Sequence, residues 1–391
     1  MNVPVISFTN NFNSAFSKTR MCKKILCENL DDDSIVDNLI ELGKKINQKS
    51  VLILTKDSQV EFITNKRQLL EPYYYLNLPS KETVNILLKK TLFHTFAKKS
   101  GFLVPKTHLV KKRSDLRGLS RNLEFPCIIK PFERTKKWNE RFYKVIKISS
   151  RADFNENISG VLDTIDAVVI QEWIEGSDSD IYFCLVYFDK KSDPKATFVG
   201  RKIRQWPPEY GTTASAEKKF NQTVLDETVR LFKELGFRGL GSVEYKYDHR
   251  DQKFKIMEPT VGRPNLQSYL AVANGINIPY ITYCDLVGDK IEKFDEPSFY
   301  NSVNWINDFS EYQAVYYYIY NKTLKLTSWL KFLKGPKKFA LLNIRDPLPF
   351  IFTLKNWIKY LIKKSPVYRI KPIHMAIKVF KKFMKHANGK I

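Results

Sequence analysis

Two glutamates carry the first chemical signal. Glu244 stands in Gly-Leu-Gly-Ser-Val-Glu-Tyr-Lys (239–246), and Glu258 closes the run Phe-Lys-Ile-Met-Glu just before Pro259. Both sit among apolar residues, where an unpaired carboxylate is costly to bury. Strand alternation puts Val243 and Tyr245 on the face opposite Glu244. If the two runs pair across 248–253, both carboxylates reach one side of a sheet, as the oxygen ligands of a hard divalent cation must. Taken alone, the pair fits a metal site and a salt-bridged sheet edge equally well. Cations accompany it. Lys130 sits in Pro-Cys-Ile-Ile-Lys-Pro (126–131), bracketed by prolines and apolar residues. Lys202 and Arg204, two apart in Gly-Arg-Lys-Ile-Arg, share a strand face. Cations converging on a metal-binding acid pair make a polyphosphate clamp. The alternative for Lys202 and Arg204 is a solvated sheet face.

The elements that must hold these groups follow from periodicity. Residues 3–8 form a β-like run, and 34–46 carries Ile35, Leu39, Ile40 and Leu42 at helical spacing. The stretch 51–54 is a buried-strand signal ending at Thr55-Lys56-Asp57-Ser58, and 60–70 is helical. This repetition predicts a parallel sheet with crossover helices. Asp57, at the carboxyl end of its strand, either faces a ligand or caps the next helix. A helix over 82–100 presents Val84, Leu87, Leu88, Leu92 and Phe96 as one stripe, ended by Gly101 and Pro105. Strands are predicted over 126–130, 144–148, 167–173, 181–187 and 198–204, then a helix over 223–236. A hairpin joins 241–247 to 254–258. Boundaries at 78–80 and 295–298 divide the chain into 1–79, 80–297 and 298–391.

In this order the motifs resemble the ATP-grasp superfamily of carboxylate–amine (or thiol) ligases, over about 78–287. Lys90 with Gly-Phe-Leu-Val-Pro (101–105) is similar to the family's opening helix, and 126–131 to its first phosphate-lysine strand. Val-Ile-Gln-Glu-Trp-Ile-Glu-Gly (169–176) resembles the hinge that holds adenine, and 239–246 with 258–263 the two metal-bearing strands. The fold implied is α/β and α+β. An ATP-grasp domain, two subdomains enclosing ATP, follows a Rossmann-like pre-grasp domain and precedes a basic, amphipathic helical C-terminal region. The resemblance also implies roles. Lys90 and Lys130 would contact ATP phosphates, with Lys202 on the terminal phosphate and Arg204 beside it. Gln171 and the backbone of Glu172 and Ile174 would hold adenine. Asp178, or Asp180 in its place, would accept from the ribose hydroxyls. Glu244 and Glu258 would hold magnesium, or manganese instead, and Arg263 would face the reacting carbonyl.

Two departures bear on this. The family's glycine-rich flap is here 133–143, without glycine, where Arg134, Lys136 and Lys137 either replace its amides or line a solvated loop. The Glu-x-Asn metal motif is Glu258-Pro-Thr260, so Asn265 or water supplies the third oxygen. The implied reaction makes an acyl phosphate from a carboxylate and ATP, then an amide or peptide bond with an amine. Its substrates would be a small-molecule, glycan or peptide carboxylate and an amine; a cell-envelope precursor enters by analogy. The competing function is a non-catalytic, nucleotide-binding adaptor at a membrane surface. No general base is evident, and the five histidines suit surface or structural roles.

The net charge of +24 on 391 residues is concentrated at one end. From Asn321 onward there are 18 Lys and Arg against one acid, Asp346, leaving +7 for the first 320 residues. Ile373, Ala376, Ile377, Phe380 and Met384 recur at helical spacing opposite Lys378, Lys381, Lys382 and Lys385. Such a helix favours an anionic membrane surface, here the inner face; packing on the body is the alternative. Nucleic acid is not expected, because no recognised motif accompanies the charge. Five cysteines are too few and too scattered for a disulfide framework, which suits a reducing, cytoplasmic compartment. Cys22 and Cys27 lack a second pair of zinc ligands.

Overall fold

Runs of β-branched and aromatic residues pair into two antiparallel-rich sheets, braced by a smaller N-terminal region. The computed structural model describes residues 3–132, 135–142, 145–291 and 302–364. At the N-terminus, β1 (Ile6–Thr9) pairs in parallel with β2 (Lys23–Leu26), and β3 (Ser50–Val51) with β4 (Tyr74–Tyr75). Strand–helix alternation is present, but as two short ladders rather than one continuous sheet. The apolar run at 51–54 ladders only at its start; Leu54 is instead packed with Val60 and Ile63 in the shared core.

The helix expected over 82–100 breaks at Lys89 (φ −92°, ψ 109°) into Lys81–Leu88 and Lys90–Lys99. The break rotates the second half. Phe93 and Ala97 are buried there, and Leu92, expected in the stripe, is 44% exposed.

The small sheet runs β5-β8-β6-β7, from β5 (Thr107–Val110), β6 (Cys127–Pro131), β7 (Ile146–Ile148) and β8 (Val168–Glu172). One face, with Cys127, Ile129, Val168 and Ile170, packs on Phe154 and Ile158 of helix Arg151–Leu162. The other carries Ile128, Lys130, Gln171 and Trp173, following strand alternation. Tyr210, on a loop of the large sheet, packs against Ile128, Val145 and Trp173. The segment expected as a flap contains a short helix, Lys136–Arg141, pinned by buried Trp138. Arg134 and the side chains of Lys136 and Lys137 lie outside the described residues.

The large sheet runs β13-β12-β9-β10-β11-β14-β15. Its strands are β9 (Ile181–Phe188), β10 (Pro194–Trp206), β11 (Thr212–Lys218), β12 (Gly239–Asp248), β13 (Lys253–Val261), β14 (Asn304–Ile306) and β15 (Lys337–Phe339). Val243 and Tyr245 join Cys184 and Val186 on one face, against helix Gln222–Glu234 and the N-terminal region. The opposite face carries Phe183, Leu185 and Leu240 under helices Ser268–Ala273 and Ile278–Val287, and also Glu244.

The segment expected as a helical extension supplies two strands of this sheet. β14 pairs with β11, and β15 with β14. Helix Asp308–Tyr320 then folds back over β10 and β11, and helix Leu326–Leu333 joins it through the Trp329 Nε1–Glu311 hydrogen bond. Helix Leu348–Lys364 follows. The boundary at 295–298 and the lysine stripe from Ile373 to Lys385 lie outside the described residues. Among the described residues no helix is long and apolar enough to cross a membrane. Cys27, Cys127, Cys184 and Cys284 are buried free thiols, and Cys22 is half-buried.

Candidate functional site

The two glutamates meet as their strand pattern requires. Glu244 stands directly opposite Glu258 in the β12–β13 ladder, and Ser242 opposite Thr260. All four project from one face, because each pair is two residues from the next. Opposed carboxylates repel across a ladder, so something positive must lie between or beside them. Lys202 partly answers this: its buried ammonium is 2.9 Å from Glu244 Oε2. Glu258 is exposed and forms no ion pair among the described residues. Asn265 reaches the same row, its Nδ2 donating to Ser242 Oγ at 2.6 Å and lying 3.5 Å from Thr260 Oγ1. Its Oδ1 accepts from the Leu266 N–H at 2.6 Å. Among the described residues no three His, Cys, Asp or Glu side chains converge as a metal cluster. Two carboxylates flanked by neutral oxygens fit a hard cation that keeps water and substrate oxygens in its shell.

Lys202 is the end of a buried chain of polar contacts. Its Nζ donates to Gln205 Oε1 at 3.3 Å, and Gln205 Nε2 donates to Asp178 Oδ1 at 2.8 Å. Asp178 Oδ2 accepts from the Gln205 N–H at 2.9 Å and also from the Tyr318 hydroxyl. The carboxylate expected at ribose therefore already accepts three protein hydrogen bonds. Asp180, the alternative, is held by the Ser177 N–H and hydroxyl and lies 3.1 Å from His249 Nε2.

Lys202 and Arg204 do not act as a pair. Register shifts flank Arg204 on both sides, and its guanidinium turns to buried Glu311, Nε donating to Oε1 at 2.8 Å. It also stacks 4.6 Å from the centre of the Phe332 ring.

On the small sheet, Lys130 Nζ donates to Gln171 Oε1 at 2.6 Å, and Gln171 Nε2 to Thr107 Oγ1 at 3.1 Å. The Glu172 N–H bonds the Lys106 carbonyl at 2.8 Å, but the Lys106 N–H goes to the Glu172 carboxylate at 3.0 Å. The donor that would meet the Glu172 carbonyl is thus diverted. The Ile174 N–H has no partner among the described residues. Among the described residues, a carbonyl and an amide two residues apart are left without a partner and form an acceptor–donor edge. The Glu172 side chain is itself a clasp: Arg250 lies 2.5 Å and Lys255 3.4 Å from its Oε1, and both also hold buried Asp248.

Lys90 is exposed at the start of its helix. Arg263 is bidentate to Asp57, at 2.5 and 3.0 Å, across the junction with the N-terminal region. Asp57 does not cap helix Asp57–Leu70, whose N-cap is Lys56 without a side-chain bond; the Asp57 carboxylate is taken instead by Arg263. Three residues of the site have no sequence signal of their own. Gln205, Tyr318 and Lys246 look ordinary until distant elements close over them. The nearest clue for Lys246 is its period-two offset from Glu244.

No protein-family model and no curated protein matches the sequence. Solved structures do resemble it. One is an ADP complex of N5-carboxyaminoimidazole ribonucleotide synthetase, 14% identical, with TM-score 0.59 over 78% of this chain and 75% of that one. Another is the Hydrogenobacter thermophilus 2-oxoglutarate carboxylase biotin carboxylase domain, in complex with magnesium ADP, ADP and bicarbonate. It is 11% identical, with TM-score 0.57 over 75% of this chain and 66% of its own. A third is N5-carboxyaminoimidazole ribonucleotide synthetase from Thermus thermophilus, 10% identical, with TM-score 0.57 over 75% of each chain. At these identities the likeness is one of architecture. The chain has the ATP-grasp fold.

Proposed function

We propose that the chain is an ATP-dependent ligase that activates a carboxylate as an acyl phosphate and couples it to an amine. The observation that carries this reading is the opposition of Glu244 and Glu258 beside the buried ammonium of Lys202. A carboxylate pair with one cation on one member and none on the other suits a metal-bound polyphosphate. The acceptor–donor edge of Glu172 and Ile174 suits adenine, with Gln171 and Lys130 lining the same face.

In the reaction, a substrate carboxylate oxygen attacks the terminal phosphorus, the bond to the bridging oxygen breaks, and ADP departs. The amine then attacks the acyl carbon and inorganic phosphate leaves, carrying away the oxygen that a free carboxylate cannot expel. Lys202 and Lys130 spread the charge of the transferring group; little else is asked of protein in phosphoryl transfer. Glu244 and Glu258, with Asn265, Thr260 or water, would hold magnesium, which supplies charge neutralisation when bound. Arg263, held bidentate by Asp57, would offer its remaining N–H groups to the reacting carbonyl. The substrates we favour are a peptide, amino-acid or sugar-acid carboxylate and an amine. The excess of Lys and Arg after Asn321 supports a reading in which the enzyme works at the inner face of an anionic membrane.

The test is ADP release with ATP, magnesium and pooled carboxylates and amines. Release that depends on both pools is expected, and is lost in Glu258→Gln and Lys130→Ala. Full activity in both variants would refute the site. Tight ATP binding with no turnover under any pool would refute ligase chemistry.

A further inference from the structure

Lys246 is a buried cation that the roles above leave unused. It follows Glu244 by two residues, and β12 pairs with β9 without interruption there: Glu244 with Phe183, Tyr245 with Tyr182, Lys246 with Ile181. Its side chain therefore leaves the sheet on the Glu244 face. In the β9–β10 ladder Gly200 opposes Phe183 and Arg201 opposes Tyr182, which carries Lys202 to the next position along the same row as Lys246.

Lys246 is 4% exposed. Its Nζ donates to the Gly176 carbonyl at 3.2 Å and lies 5.3 Å from the centre of the Trp173 ring. Among the described residues it forms no ion pair. Burial holds its ammonium below the ordinary lysine value, against the upward pull of Asp178, Asp180 and Glu209, with Lys202 adding to the depression. Each of those acids already has donors of its own. Asp178 has Gln205 and Tyr318, Asp180 has Ser177 and His249, and Glu209 has Lys147. A buried ammonium without a counter-charge is expensive, and this one lies on the face where a polyanion is proposed to bind. It also lies between the hinge loop at Gly176 and the carboxylate of Glu244.

We infer that Lys246 binds the phosphate chain of the nucleotide at its ribose end, as a second cation on the large sheet beside Lys202. The inference rests on the nucleotide-binding reading above. The alternative is a structural tie that only holds the hinge through the Gly176 carbonyl.

Binding of ADP and of adenosine, measured by calorimetry on the full chain, separates the two. Lys246→Met should bind ADP at least about tenfold more weakly while adenosine affinity stays the same. Lys246→Arg should stay within about threefold of wild type for both. Equal losses for ADP and adenosine, or no loss for either, would overturn the inference. Where Lys246→Met melts early, Lys246→Gln is read in its place. A wild-type chain that binds no ADP defeats the nucleotide-binding reading itself. Wild-type ADP binding that Lys246→Met leaves intact defeats only the role of Lys246.

Discussion

Glu258 is the residue on which the candidate chemistry turns, because its charge has no protein partner among the described residues while its opposite number does. Replacing it with Gln keeps the shape and removes the charge. Activity should fall at least about a hundredfold, as expected for loss of a metal-holding group. The melting temperature should hold or rise, because a repulsive pair is relieved. A fall in melting temperature together with retained activity would reverse this assignment. Asp248 makes the contrasting case. The Arg250 guanidinium, and after it the Lys255 ammonium, hold its carboxyl well below the usual carboxylate range against the opposing push of burial. A group depressed in this way stabilises the fold above its unfolded value and loses that contribution as pH falls through the folded one. Asp248→Asn should therefore destabilise most near neutrality, and the gap to wild type should close as pH drops below about 4. Melting curves at several pH values check it; a gap that stays constant would rule out the ion-paired state as its source.

At the level of elements, the large sheet is built to tolerate nothing extra beside the site. A Cβ on Gly200 would come within 2.6 Å of the Phe183 ring and 2.9 Å of the Glu217 carbonyl. Gly200→Ala should cost about 1–3 kcal/mol by overpacking, read from urea unfolding. How much of this was legible in the sequence depends on where the partner lies. The hairpin of β12 and β13 was readable because two period-two runs flank a short polar turn, and their acids followed. The strands at 167–173 and 126–130 were readable for the same local reason. The separation of Arg204 from Lys202 was not, because register shifts around Arg204 break the alternation that would put them on a shared face. The helix break at Lys89 was equally invisible: no proline or glycine marks it, and it moves Leu92 outward. Lys246 was overlooked because Lys between Tyr245 and Tyr247 reads as a solvated strand end. Its burial comes from a loop 70 residues away.

Across the whole molecule, distant segments meet in buried polar contacts. Tyr318 reaches Asp178 across 140 residues, and Glu311 reaches Arg204 across 107. No periodicity argument spans such distances. Glu311→Ala would leave the Arg204 guanidinium buried and unpaired, a loss of about 3–5 kcal/mol. Equilibrium denaturation measures it directly. A loss near zero would mean that the guanidinium finds water or another acid. The same tie makes helix Asp308–Tyr320 part of the body that carries the candidate site.

The late pairing of β14 onto β11 has a consequence for how the chain is made. On the ribosome, β11 emerges some ninety residues before the strand that will cover it. Until then its edge is an open template for other nascent chains. Fragments ending before Asn304 should accumulate as insoluble material, and synthesis of the intact protein should benefit from a holding chaperone.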